Sequence, residues 1–193
     1  DCTFWAAAQL GRRLVSATVV EPVPDVAGAL RRSLAANNWY SVQVVQALAG
    51  AKAGWGSMHL LAHDAGNPFA SASAAPAKGL KVPSVRARMT TVQRLIAGQP
   101  AHTKGSRVLK LYAYGDLMDV LKGAGTSLRR HVDVVWLAFA AGLLPRPGPA
   151  AVAMFAFFRR QGFRVSLPSF EVDWCRSWRP RWVAESRMRR WLH

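Results

Sequence analysis

The sequence predicts an all-α protein, and three observations carry that expectation. Apolar residues recur at three- and four-residue spacing through most of the chain. Helix-start residues (Asp25, Ser41, Ser57, Ser84) stand just ahead of those runs. No stretch alternates apolar with polar residues for long. An apolar share of 51% over 193 residues excludes wholesale disorder and leaves ample chain for a core.

Taken in order, the elements fall into pairs. Thr3 to Ser16 reads as a helix with Phe4, Ala8, Leu14 and Val15 apolar, interrupted by Glu21-Pro22-Val23-Pro24. Asp25 caps a second helix through Leu30 and Leu34 to Asn37-Asn38. Ser41 caps a third, SVQVVQALAGAKAG, and Ser57 a fourth, SMHLLAHDAG, which Gly66 stops. Residues 67–83, rich in Ala, Ser, Pro and Lys, read as a linker or extended arm. Ser84 then caps a helix to Gly98, and two short helices, Ser106 to Tyr114 and Asp116 to Gly123, hinge at Gly115. First helices beginning near Thr3, Ser41, Ser84 and Leu128 recur at about 38 to 44 residues, a period that suits degenerate helical repeats. The implied organisation is 1–66 as N-terminal helix pairs, 67–83 as the arm, 84–165 as C-terminal helix pairs and 166–193 as a basic tail.

The stretch Asp133 to Val165 reads as two apolar helices folded across a Pro/Gly turn. Pro149 suits the first turn of the second helix, Ala151, Val152, Met154, Phe155 and Phe158 form its apolar face, and Gly162 suits a left-handed stop. Ala151-Val152-x-Met154-Phe155-x-x-Phe158-x-x-x-Gly162-Phe163-Arg164 resembles the second helix of the pentatricopeptide repeat family, with Trp136, Leu137, Phe139 and Ala141-Gly142 similar to its first. The Leu143 to Pro149 turn is several residues longer than the family's, and only this one repeat of about 33 residues matches well. The resemblance implies a helix-hairpin solenoid that binds RNA inside an organelle, the mitochondrial matrix first and the chloroplast second. It implies a structural subunit of an organellar ribosome, with rRNA and other ribosomal proteins as partners. An organellar RNA-processing or stability factor is the alternative within the family, and a scaffold subunit of a membrane or respiratory complex is the alternative outside it.

Charge points the same way. The chain carries +16, with 26 basic residues against 10 acidic, and arginine supplies most of them. Arginine's planar fork matches phosphate oxygens and stacks on bases. The candidate RNA-binding residues are the pairs Arg12-Arg13, Arg31-Arg32, Arg129-Arg130 and Arg159-Arg160, together with Arg86, Arg88 and Arg164. The tail adds Arg176, Arg179, Arg181, Arg187, Arg189 and Arg190, interleaved with Trp174, Trp178, Trp182 and Trp191.

Catalytic chemistry finds no footing in the pattern. There is no glycine-rich phosphate loop, nucleophile elbow or triad, so neither an enzyme nor a small-molecule substrate is expected, and no cofactor. His59 and His63 stand at a helical metal-ligand spacing, but Leu60 occupies the glutamate position of the zinc protease motif and no third ligand is evident. Asp116, Asp119 and Lys122 read as helix-surface charges. Cys2 and Cys175 are too few for a disulfide framework. The apolar runs at 132–144 and 149–158 fall short of the ~20 residues a membrane span needs, so a membrane partner is not expected.

Overall fold

The computed structural model describes residues 2–63, 67–71, 84–99, 105–112, 117–138 and 147–165, and strands stand in it where apolar spacing suggests several of the helices. The fold is mixed α/β with three small sheets. The all-α solenoid is overturned, and the pentatricopeptide resemblance with it.

Helix α1 (Cys2–Leu10) and a 3-10 turn (Gly11–Arg13) lead into strand β1 (Ala17–Val20). Helix α2 (Pro24–Ala36) crosses back, and strand β2 (Val42–Val45) lies parallel to β1, with Ala17 opposite Val42 and Val20 opposite Val45. The helix expected from Ser41 is therefore β2 followed by strand β3 (Leu48–Ala49). β-Branched Val42, Val44 and Val45 fit a pleated surface, and the ladder they need comes from a partner 25 residues upstream that no local window contains. Proline opens α2 in its first turn. Asp25 lies inside that turn instead of capping it, since the N-cap is Val23 and makes no side-chain cap bond. The helix stops at Asn38, which takes φ 56°. There the Trp39 N–H donates to the Leu34 carbonyl and the Asn38 N–H to Ala35, the paired bonds of a left-handed cap. Ala17, Val19, Val42 and Val44 pack on Ala7, Leu34, Phe4 and Trp39.

The second sheet runs β3, β6, β4, β5, where β4 is Gly54–His63, β5 Asn67–Ser71 and β6 Ser84–Thr90. β4 pairs antiparallel with both neighbours, and β3 pairs parallel with β6. Neither Ser57 nor Ser84 starts a helix. Helix α3 (Val92–Ala97) begins later, where Thr91 Oγ1 accepts from the Arg94 N–H at 3.2 Å. The arm expected at 67–83 opens as β5, and residues 72–83 lie outside the described residues. One face of this sheet is apolar, with Leu48, Met58 and Ala87 buried beside Met89. Gly50 and Gly56 leave room for the Met89 side chain, which a Cβ at either position would strike.

The largest core belongs to the last unit. Strand β7 (Val108–Tyr112) replaces the helix expected from Ser106, and β8 (Val134–Ala138) replaces the first arm of the helical hairpin. The two are parallel, with Val108 opposite Val134, and are joined by helices α4 (Leu117–Ala124) and α5 (Ser127–His131). Helix α6 (Pro147–Arg160) is the hairpin's second arm. Val92, Leu111, Leu117, Val120, Leu121, Leu128, Val135, Met154, Phe158 and Phe163 share one cluster. Fully burying each such leucine or phenylalanine contributes about 1.5–3 kcal/mol. Gly162 at φ +85° ends α6, the Phe163 N–H returns to the Phe158 carbonyl at 3.0 Å, and the two rings meet edge to face at 6.0 Å. That left-handed stop is the one the residues around Gly162 predict.

Candidate nucleic-acid interface

The antiparallel pairing of β4 with β6 places Trp55 opposite Arg88 and Ser57 opposite Arg86. Side chains alternate across a strand, so these four share the face opposite Met58 and Ala87. All four are exposed, Trp55 at 62%. The Arg86 guanidinium lies 4.8 Å from the centre of the Trp55 ring, a cation–π contact between diagonal neighbours on the pleat. Lys52, in the turn between β3 and β4, is exposed as well. Between Asp25 and Asp116 the sequence holds a single acidic residue, Asp64, so the face has almost no anionic counterweight of its own. The signal for it lies in the sequence at period two, Trp55-x-Ser57 and Arg86-x-Arg88. It becomes visible only once both segments are recognised as strands.

The remaining candidate arginines are spread over other elements. Arg13 ends the 3-10 turn and is exposed, while the Arg12 side chain lies outside the described residues. Arg31 and Arg32 are exposed on α2, and Arg31 Nη2 donates to the Val44 carbonyl at 3.3 Å. Arg129 and Arg130 are exposed on α5. Arg159 and Arg160 close α6, where the helix dipole favours cations. An open groove of about 420 Å³ follows them, lined by Arg159, Gly162, Phe163, Arg164 and Val165. Arg176, Arg179, Arg181, Arg187, Arg189 and Arg190 lie outside the described residues. Arg13, Arg31, Arg32, Arg86, Arg88, Arg129, Arg130, Arg159 and Arg160 form no ion pair among the described residues, where Lys122 pairs with Asp119 at 2.8 Å. The structure brings Arg86 and Arg88 together with an aromatic and leaves the helix pairs on separate elements.

Among the described residues, Glu21 is the one titratable group that the fold moves clearly. Half-buried at the end of β1, its carboxyl is pushed up from the ordinary glutamate range by desolvation, partly offset by the hydrogen bond it accepts from the Val23 N–H at 2.8 Å. His59 and His63 lie on strand β4, so a rise of ~3.3 Å per residue puts their Cα atoms roughly 13 Å apart, against the helical spacing that suggested a shared ion. Among the described residues no three His, Cys, Asp or Glu side chains gather as a metal site. Among them, too, no helix is long and apolar enough to cross a membrane.

No family model, curated protein or solved structure matches the chain.

Proposed function

We propose that this chain is an RNA-contacting structural protein of a ribonucleoprotein particle, working without catalysis. Its arginines neutralise backbone phosphates, and its apolar surfaces meet protein neighbours. The observation that supports the reading best is the set of exposed arginines with no carboxylate partner among the described residues, in a chain of net charge +16. Exposed, unpaired guanidinium groups remain hydrated and available to a polyanion, and each phosphate contact releases condensed counterions. The organelle and its ribosome entered through the pentatricopeptide resemblance. With the solenoid overturned, what carries forward is the RNA particle.

The test is ionic strength. The purified full chain binds RNA with an affinity that falls steeply with salt, the slope of log K against log salt rising by about 0.7–0.9 for each phosphate neutralised. Sedimentation of the protein in its native extract then places it with a large ribonuclease-sensitive particle. RNA retention indifferent to salt, or a particle indifferent to ribonuclease, rejects the reading in favour of a scaffold subunit without an RNA role.

A further inference from the structure

Among the described residues, most of the candidate arginines lie on helices or turns and would serve any polyanion equally. The outer face of β4 and β6 differs, because it combines cations with a large exposed ring. We propose that this face is a binding site for single-stranded RNA, in which an unpaired base stacks on Trp55 while Arg88 and Lys52 take the flanking phosphates. The proposal rests on the RNA reading above and narrows it to a site and a strand state.

Four features carry it. Trp55 keeps 62% of its surface exposed although Arg86 lies over one ring face, so the open area is the opposite face and the ring edges. A base is a flat π-surface of a size that matches the open indole. Arg86 also anchors the indole, so a stacking base meets a ring already oriented, which lowers the ordering cost of binding. Arg88 stands directly across the ladder from Trp55, and Lys52 follows the short strand that pairs with β6. Both cations thus lie toward the β6 and β3 side of the ring, where the backbone of a strand with one base stacked on Trp55 can run. The opposite face of the same sheet buries Met58 and Ala87, so the platform is backed by packed side chains. A duplex offers this ring nothing, because its bases are already stacked on one another. An acidic protein segment would satisfy the cations but would leave the ring without its flat partner.

The experiment measures binding of the full chain to a labelled single-stranded RNA of about 12 nucleotides and to a duplex of the same length. Wild type is compared with W55A, W55F and R88A across a salt series. W55A weakens single-strand binding about tenfold, W55F recovers most of it, and both leave duplex affinity within about twofold. W55A leaves the salt slope unchanged, because no phosphate contact is lost, whereas R88A lowers it by about one contact. W55F also guards against misfolding, since a phenyl ring keeps the strand apolar and β-forming. Equal single-strand binding by wild type and W55A, with salt dependence intact, overturns the stacking site and leaves the RNA reading standing. Equal loss on single strand and duplex also overturns it. If wild type binds neither RNA in a salt-dependent way, the RNA reading itself fails. Competition by a polyglutamate peptide that is as strong as by the single strand, and equally weakened in W55A, assigns the face to an acidic protein instead.

Discussion

Two parts of the molecule use the same backbone device and fill it differently. In β1–α2–β2 and in β7–α4–α5–β8, two parallel strands are joined by a helical crossover. In the first, the buried cluster is small, Ala7, Leu34 and Val42, and α2 buries only Ala27 and Leu34 of its 13 residues. In the second, α4 buries five of eight, Leu117, Val120, Leu121, Gly123 and Ala124, beneath α3, α5 and α6. A crossover helix covered on one side only has a free face for charge, and α2 carries Arg31 and Arg32 there. A helix covered on most of its circumference holds the domain together and leaves to solvent little more than the edge with Asp119 and Lys122. One topology thus yields a display surface and a keystone, and side-chain size and the number of covering elements decide which.

The largest expected effect tests the keystone. Leu121→Ala removes a side chain with no solvent exposure and costs about 2–5 kcal/mol in urea unfolding, whereas Leu34→Ala stays at the low end of that range because the thinner cluster collapses more easily. Equal costs would break the comparison.

A pair of glycine substitutions sharpens it further. A Cβ at Gly123 would strike the Gly50 carbonyl, so Gly123→Ala pushes α4 off the β3 end and costs about 1–3 kcal/mol. At Gly28 on α2 a Cβ meets only the far end of the Arg32 side chain at 3.5 Å, so Gly28→Ala stabilises by about 0.5–1 kcal/mol through helix propensity. Opposite signs in thermal melts are the expected outcome, and the same sign for both would mean that α4 is not seated as described.

The smallest effect concerns pH. The Glu21 carboxyl has its folded value raised above the ordinary glutamate value of 4.5, chiefly by burial. Its contribution to stability is therefore fully present below the unfolded value and is lost as pH rises through the folded one. Glu21→Gln keeps an acceptor for the Val23 N–H and removes the titration. Stability of the variant, followed from pH 4.5 upward, falls less than that of wild type. Superimposable profiles would show that the carboxyl is solvated after all.

Much that was legible in the sequence is local. The extents of α2 and α6 follow from proline at their starts and left-handed Asn38 and Gly162 at their ends, because such signals act within a few residues of themselves. The strands were not legible for the converse reason. Val42–Val45 finds its ladder 25 residues away, residues 57–63 of β4 read as the start of a short helix until β5 and β6 flank them, and Val134–Ala138 pairs with a segment 26 residues upstream. The candidate interface followed the strands. Arg86 and Arg88 were evident as cations, but nothing near them in the chain announces Trp55, which lies about thirty residues earlier and meets them only across the ladder.

By itself the sequence determined the charge, the stops of α2 and α6 and the abundance of arginine, since composition and short-range sterics need no partner. Only the tertiary structure decided which apolar runs became strands and which cations came to stand beside an open ring. Hydrogen-bond ladders and cross-strand neighbours join residues that the covalent chain keeps far apart.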